Sequence, residues 1–434
     1  MRFFNIAVIV LSLAATACGS NANLPVSAGT GPEPELPEPR KALIPLVNIA
    51  RVERWAEGAT PVAADGLVVD AFATGLDHPR WLYVLPNGDV LVAETNAQAK
   101  KPKGIVGRVE KMVMSRAGAG VESADRISLL RDANGDGIAE IKTVFLSGLT
   151  SPFGMSLVGN RLFIANTDGV ISFPYSEGET QITSAGTPLV ALPAGENNRH
   201  WTKNLIASAD GKFLYASVGS NSDHAENGIE NEIGRAAIWQ IDAETGEHRV
   251  FASGLRNPVG MAFEPLTGVL WTSVNEHDDL GGDLVPDYMT SVVDGGFYGW
   301  PYSYYGDHLD PRIDDQRPDL VATALTPDYA LGPHAASLGL TFAEGQTLGP
   351  AWSDGAFVGQ HGSWNRKPRS GYKVIFVPFA NGKPAGEPID VLTGFLDEDG
   401  NAQGRPVGVI VDKTGALLVA DDAGNAIWRV SRAE

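Results

Sequence analysis

Hydrophobic positions in this chain come in short runs separated by turn residues. One pattern recurs about six times: a Gly or Pro turn, a short apolar strand, a Gly-containing turn, and a second apolar strand that ends in small and polar residues. The copies are GLDHPRWLYVLPNGDVLVAET from Gly75, GLTSPFGMSLVGNRLFIANT from Gly148, RHWTKNLIASADGKFLYASVGSN from Arg199, GLRNPVGMAFEPLTGVLWTSVNEH from Gly254, SLGLTFAEG with GAFVGQHGSW from Ser337, and GRPVGVIVDKTGALLVADD from Gly404. No heptad or helical periodicity competes with them, and the 50 Gly and 28 Pro separate strands.

Repeats of several short strands are typical of propeller blades. Blades usually recur every ~40 to 50 residues, and the wider spacing here indicates loop insertions. The final copy ends in NAIWRV near the C-terminus, which suits a last blade closed by the chain's own end. We therefore expect an all-β fold, a single six-bladed β-propeller domain over residues 61–434.

Polar residues follow the second strand of each repeat. Equivalent strand ends of a propeller converge on one face around the central channel, so these residues are expected to point at one site. They are Glu94, Asn166, Asn221, residues 275–278, Gln360, His361, Asp421 and Asp422.

The N-terminus has the pattern of a secretory signal. A basic start is followed by an apolar run from Ile6 to Leu13 and by small residues ahead of Cys18. Because Cys18 is the chain's one cysteine and follows the small residues directly, residues 1–18 are interpreted as a lipoprotein-type signal with Cys18 as the lipidated residue. The alternative is an ordinary signal peptide ending near Ala17, since Ala15 stands where a lipobox usually has Leu. Both place the protein in the periplasm or at the cell surface.

Residues 19–60 are rich in Pro, Gly and Glu and are interpreted as a spacer, because such a composition buries too little to offset its ordering entropy. Beyond the signal, no apolar run approaches the roughly 20 residues of a membrane helix, so the membrane is reached only through the lipid anchor. With 43% hydrophobic residues the remaining chain is long enough for a large core.

The net charge of −19 argues against nucleic acid as a partner, since phosphate binding needs clustered Lys and Arg. It favours neutral or cationic ligands and calcium. Acidic surfaces also aid solubility, which accounts for much of the charge.

Alternating oxygen side chains in DANGDGIAE form a candidate calcium loop. The ligands would be Asp132, Asn134, Asp136, the Ile138 carbonyl and Glu140. Thr143 stands where an EF-hand has its bidentate Glu, so the loop is not an EF-hand, and a solvated acidic turn is the alternative.

His200 opens the third repeat beside a strand. An imidazole with an ordinary pKa near 6.5 is suited to proton abstraction at neutral pH. Taken alone, such a histidine is more often a structural hydrogen-bonding group.

Several long segments resemble one enzyme family. RHWTKNLIASADGKFLYASVGSN, GLRNPVGMAF and VNEHDDLGGDLVPDYMTSVVDGGFYGWPY are similar to blades of the soluble pyrroloquinoline quinone (PQQ)-dependent glucose and sorbosone dehydrogenases. NEHDDLGGDLVPDY, GQHGSWNR and GRPVGV with LLVADD are closer to the sorbosone-type branch. The similarity runs from about residue 66 to residue 430.

This resemblance implies PQQ- and calcium-dependent oxidation of a sugar or sugar aldehyde, with electrons passing to an external acceptor. His200 matches the family's general base. Arg256 and Asn257 match the pair beside the reacting quinone carbonyl, where a guanidinium stabilises developing negative charge.

The three carboxylates of PQQ call for cations, and Arg366, Lys373 and Arg405 are the candidates. The resemblance places the catalytic Ca²⁺ on backbone carbonyls of the loop formed by Glu276, His277 and Asp278, although carboxylates there are an alternative.

Two departures put glucose in doubt as the substrate. Glucose-type members have Gly-Pro in place of His277-Asp278 and Gln in place of Val259. Trp300 and Trp364 either line the site or pack between blades.

Two other classes stay open. A calcium-dependent lactone hydrolase would use side-chain ligands such as Glu94, Asn166, Asn221, Asn275 and Asp421. A binding scaffold would need no chemistry, since propellers host many functions. The dehydrogenase interpretation predicts that His200, Arg256 and His277 come together on one face.

Overall fold

The computed structural model describes residues 21–40, 47–99 and 120–433. Its strands form six antiparallel blades, which confirms the predicted all-β six-bladed propeller. Cys18 lies outside the described residues. In the described part of the chain, no helix has the length and apolar character needed to cross a membrane.

Three short strands precede the first blade: β1 (Thr30–Gly31), β2 (Val62–Ala63) and β3 (Leu67–Ala73). Blade 1 contains β4 (Pro79–Val84), β5 (Val90–Glu94), β6 (Arg126–Arg131) and β7 (Ile141–Ser147). Blade 2 contains β8 (Met155–Val158), β9 (Arg161–Asn166), β10 (Gly169–Pro174) and β11 (Thr187–Ala191). Blade 3 contains β12 (Leu205–Ala207), β13 (Phe213–Val218), β14 (Ala237–Asp242) and β15 (His248–Ser253).

Blade 4 contains β16 (Pro258–Phe263), β17 (Leu270–Val274), β18 (Pro286–Ser291) and, after the hairpin β19 (Ser303–Tyr304) and β20 (His308–Leu309), β21 (Tyr329–Pro333). Blade 5 contains β22 (Ser337–Phe342), β23 (Gly355–Gln360), β24 (Lys373–Ala380), the short β25 (Lys383–Pro384) and β26 (Ile389–Thr393). Blade 6 contains β27 (Pro406–Val411), β28 (Leu417–Asp421) and β29 (Ala426–Arg432). One short α-helix, α1 (Pro318–Val321), and three 3-10 turns (Val26–Gly29, Ile229–Glu232 and Pro350–Trp352) complete the described elements.

The core lies between blades. Six clusters of buried hydrophobic side chains are present in the described residues, and each joins two neighbouring sheets. Strands buried on both faces, such as β5 and β28, are therefore continuous apolar runs that do not alternate and that end in one acidic residue, Glu94 or Asp421. The six innermost strands β4, β8, β12, β16, β22 and β27 surround a central cavity.

The ring is closed by a strand from the N-terminal side. β3 pairs antiparallel with β29 and supplies the outermost strand of blade 6, with Val69 opposite Val430. The expected closure by the C-terminal segment is thus made jointly by both ends of the domain.

One end of the propeller, called the mouth here, is where the first strand of a blade begins and its second strand ends. Pro79 lies opposite Glu94 in blade 1, and Pro406 lies opposite Asp421 in blade 6. The polar residues that follow the second strands therefore gather at the mouth, as the repeat pattern predicted.

The interpretation of residues 19–60 as a spacer is wrong for the parts that the structure describes. Residues 21–40 and 47–60, called the arm here, bind to the propeller: β1 pairs with β21 in blade 4, and Trp55 donates a hydrogen bond to Asp421 in blade 6. The backbone N–H groups of Asn23 and Leu24 donate to the Asp283 carboxylate. These specific polar contacts, which composition does not reveal, order the arm.

Candidate active site

His200 and Asn257 face each other across Gly219 at the mouth. A Cβ atom at Gly219 would collide with both the His200 side chain and the Asn257 amide oxygen, so the close approach requires glycine. The Asn257 oxygen is buried and has no hydrogen-bond partner among the described residues. The turns before β12 and β16 thus bring together two of the predicted residues.

The hydrogen bonds of His200 define its tautomer. Its Nδ1 lies 3.0 Å from the carbonyl oxygen of Ser220 and 2.9 Å from the Ser220 hydroxyl, whose own proton is donated to the Ser222 carbonyl. Because both Ser220 oxygens act as acceptors, Nδ1 carries the proton. Nε2 is left with its lone pair and is able to accept a proton.

Burial lowers the pKa of His200 well below its ordinary value of 6.5, and the positive charges of Arg256 and Arg199 lower it further. The imidazole is therefore neutral at pH 7, which is the form that a general base needs.

Arg256 is almost fully buried, with 1% of its side chain exposed. Its Nη2 lies 2.6 Å from an Asp223 carboxylate oxygen, and its Nη1 donates to the carbonyls of Glu276 at 2.6 Å and Asn275 at 3.1 Å. Burial opposes a charged Arg256, but Asp223 and the nearby Asp278 and Glu276 raise its pKa. The guanidinium is a fixed positive charge beside His200.

His277 joins the same cluster. Its ring lies wholly inside the protein, with Nδ1 3.1 Å from a Glu276 carboxylate oxygen and Nε2 3.4 Å from Asp310. Because Arg256 contacts the Glu276 carbonyl and lies close enough to His200 to lower its pKa, the three residues lie in one region of the propeller, while their roles stay predictions.

The loop of Glu276, His277 and Asp278 does not form the free set of carbonyls that the resemblance implied for calcium. The Glu276 carbonyl accepts from Arg256, and the Asp278 carbonyl accepts from Arg312 at 2.8 Å. A guanidinium cation at that distance opposes a divalent cation on the same oxygen. The Asp278 carboxylate instead accepts from Asn365 and lies 3.4 Å from His334 Nδ1.

Sequence reasoning missed four residues of this cluster. Asp223 and Arg312 form an ion pair at 3.2 Å, Arg312 also pairs with Asp310, and His334 pairs with Asp278. Asp223 stands two residues after the third repeat copy, which ends in GSN. Its position directly after a strand end was a signal that could have identified it. Arg312, Asp310 and His334 lie outside the repeat copies, so no pattern marked them.

A second charged cluster lies at the mouth between blades 6 and 1. Asp422 is buried and lies 2.7 Å from Arg80 Nη1, 3.0 Å from His361 Nε2 and 3.5 Å from His78 Nε2. Arg405 is buried nearby and adds positive charge. The cluster thus brings two guanidinium groups, those of Arg80 and Arg405, close to the Asp422 carboxylate.

Two guanidinium nitrogens in this cluster are candidate donors to a bound group. Nε of Arg80 and Nε of Arg405 are buried and have no hydrogen-bond partner among the described residues. Buried donors of this kind are uncommon unless a bound group accepts from them. Arg405 was predicted, whereas Arg80 was missed although it stands in the first repeat.

Arg366 and Lys373 do not reach the mouth as free cations. Arg366 is fully buried and donates to the carbonyls of Gly282, Pro368 and Leu24, so it anchors the arm. Lys373 pairs at 2.6 Å with Asp390 on the outer strand β26. Both predictions of a cofactor-binding role are corrected by these contacts.

Of the aromatic candidates, Trp300 is buried, and its indole N–H donates to the Asp223 carbonyl. It therefore stabilises the backbone at Asp223. Trp364 is partly buried, and its carbonyl accepts from the N–H of Asn48 in the arm. Trp201 is an aromatic residue at the mouth, because the Arg80 guanidinium lies over its ring at 5.6 Å.

The predicted calcium loop joins β6 to β7 in blade 1. Asp132, Asp136 and Glu140 bring their carboxylates within 4.8 Å of one another, and Asn134 accepts from the Asp136 N–H. Ile138 is exposed and its N–H donates to Asp136. The geometry is that of a compact acidic turn, and calcium binding there stays a prediction.

These features define a six-bladed propeller with a neutral, partly buried histidine, a buried guanidinium and a second cluster with two arginines at one mouth. The chain belongs to the TrAA12-like family, whose profile matches residues 61–288 and 313–433. A curated relative, the pyrroloquinoline quinone-dependent pyranose dehydrogenase of Coprinopsis cinerea, is 24% identical over 433 residues, covering 85% of this chain and 54% of that protein.

Solved structures show the same fold. The holo form of the pyranose dehydrogenase PQQ domain from Coprinopsis cinerea matches with a TM-score of 0.69 and 22% identity, over 88% of this chain and 100% of that chain. The calcium structure of the Trichoderma reesei carbohydrate-active enzyme of family AA12 matches with a TM-score of 0.70 and 19% identity, over 89% and 99%.

Proposed function

We propose that this protein is a PQQ-dependent oxidoreductase that oxidises a sugar or a sugar aldehyde, including substrates of the sorbosone type. The observation that carries the proposal is the neutral His200, whose Nε2 is free to accept a proton beside the buried Arg256 and Asn257. Homology to PQQ-dependent sugar dehydrogenases supports it.

The mouth offers donors and acceptors suited to PQQ. Carboxylates of the cofactor would be held by Arg80 and Arg405, whose unpartnered Nε atoms are buried. The unpartnered amide oxygens of Asn257 and Asn365 are further acceptors, available to a ring N–H of the cofactor or to a hydroxyl of the substrate. When bound, PQQ supplies a two-electron acceptor for hydride.

His200 takes the proton in the proposed reaction. Its Nε2 accepts the hydroxyl proton of the sugar, or of the hydrate of a sugar aldehyde, as the same carbon gives up a hydride, so the C–OH group becomes C=O. Ser220 holds the ring through Nδ1 and fixes the tautomer, while Arg256 provides positive charge where negative charge develops.

The loop of residues 275–278 is not proposed to bind calcium. The carbonyls of Glu276 and Asp278 are already bound to guanidinium groups, so no step is assigned to a metal ion there.

The lactone hydrolase is the weaker candidate because its ligands are engaged. Both Glu94 carboxylate oxygens accept hydrogen bonds from Arg126, and Asp421 accepts from four N–H groups. Among the described residues, the three acidic groups whose carboxylate oxygens all lie within 4.8 Å of one another are Asp132, Asp136 and Glu140, in a loop away from the mouth.

The proposed setting is outside the cytoplasm. Export and lipidation of Cys18 would place the mouth among extracytoplasmic sugars and external electron acceptors.

The test is dye-linked oxidation of aldoses and sugar aldehydes by purified protein supplied with PQQ, comparing wild type with His200→Ala. We expect kcat to fall at least ~100-fold, the lower range for loss of a general base, while PQQ affinity is retained. His248→Ala, an exposed histidine on β15, is the matched control and is expected to keep full activity. Unchanged turnover in His200→Ala would refute the assignment of the base.

A further inference from the structure

The arm, which precedes the residues matched by the family profile, contributes to the cluster of Arg80, Arg405 and Asp422. The profile begins at residue 61, whereas residues 47–56 contact the mouth of blade 6. The carbonyl of Ala50 accepts from Arg405 Nη2 at 3.4 Å, and Arg369 donates to the carbonyls of Asn48 and Ile49. Part of the wall around Arg405 therefore comes from outside the repeats.

Asp421 is the link between the arm and Arg405. Its carboxylate is completely buried and is held by four N–H donors. One oxygen accepts from the backbone N–H of Arg405 and of Gly424, both at 2.7 Å. The other accepts from the indole N–H of Trp55 at 2.7 Å and of Trp428 at 3.0 Å.

The surroundings of Asp421 leave it little freedom. A Cβ atom at Gly404 or Gly424 would collide with the carboxylate, so both positions require glycine. The Trp55 ring packs edge-on against Trp428 and Phe395, at centroid distances of 5.3 and 5.5 Å. Trp55 of the arm therefore both packs against aromatic rings of the propeller and donates a hydrogen bond to Asp421.

Resting on the proposed function, we propose that Trp55 is a positioning residue for the cofactor-binding half of the mouth. Through Asp421 it fixes the backbone at Arg405, whose guanidinium lies over the Tyr372 ring and whose Nε has no hydrogen-bond partner among the described residues. The arm is a component of the binding site and not a tether alone.

Trp55→Phe removes the indole N–H and keeps an aromatic ring in the packing position. Asp421 then loses one of two donors on one oxygen, and the Arg405 segment is less firmly held. We expect the Kd for PQQ, measured by equilibrium titration, to rise about tenfold, the change produced by about 1.4 kcal/mol. The KM for the sugar at saturating PQQ should stay unchanged.

Two further variants separate positioning from stability. Trp428→Phe removes the second indole donor of Asp421 and should also weaken PQQ binding. Trp352→Phe makes the same chemical change in the same hydrophobic cluster, and we expect it to lower the Tm while leaving the Kd for PQQ as in wild type.

A Trp55→Phe protein whose Tm falls as in Trp352→Phe but whose Kd for PQQ equals that of wild type would overturn the inference and leave the proposed function intact. If wild type itself fails to bind PQQ, both are overturned.

Discussion

His200 shows how a few contacts convert an ordinary residue into a base. Ser220 fixes its tautomer, and burial together with Arg256 and Arg199 lowers its pKa, so the neutral form persists when pH falls below 6.5. The acid limb of the pH profile of kcat/KM is therefore expected at a pH below that of free histidine.

Arg199→Gln tests this electrostatic account. The Arg199 side chain is 45% exposed, so its removal should leave the fold intact, but it takes away one of the charges that lower the pKa of His200. Because protonated His200 is inactive as a base, the acid limb should move to higher pH. The measurement is the pH dependence of kcat/KM, with the exposed Arg249→Gln as control. A profile unchanged from wild type would contradict the stated cause of the lowered pKa.

At the residue scale, the sequence predicted those site residues that stand in a repeat or in a recognisable motif. His200, Arg256 and Asn257 stand at equivalent positions of repeats or in a recognisable motif, and the structure brings them together. Arg312 and His334 stand in insertions, and their partners are distant along the chain, so pattern gave no signal. Arg366 illustrates the opposite error, because charge alone does not tell whether a guanidinium meets a ligand or a set of backbone carbonyls.

Strand β3 is the element on which closure of the ring depends. It pairs with β29, and Phe72 packs in the cluster between blades 6 and 1 with 4% of its surface exposed. The number and order of blades followed from the repeats, whereas the origin of this strand did not, because β3 lies before the first repeat copy.

Phe72→Ala should lower the free energy of unfolding by about 3–5 kcal/mol, the usual cost of truncating a buried phenylalanine. Val68→Ala on the same strand, where the side chain is 41% exposed, should change it by less than about 0.5 kcal/mol. Chemical denaturation followed by fluorescence measures both. A loss below about 1 kcal/mol for Phe72→Ala would argue that β3 does not contribute to the cooperative unit.

At the scale of the whole molecule, six similar blades create one mouth where residues far apart in sequence meet. The arm adds a wall that the composition of residues 19–60 concealed, since low hydrophobicity predicts a spacer and the ordering contacts are hydrogen bonds to Asp283, Arg366 and Asp421. Export and lipidation of Cys18 stay predictions of the N-terminal sequence.

The proposed function requires that this mouth bind PQQ. The most direct measurement is an equilibrium titration of the purified protein lacking residues 1–18 with PQQ, carried out with Ca²⁺ present and followed by absorbance and fluorescence. We expect saturable binding of one PQQ per chain. In Arg405→Met the Kd for PQQ should rise at least about tenfold, because a charged hydrogen bond to a cofactor carboxylate is lost. No saturable binding by wild type would contradict the claim.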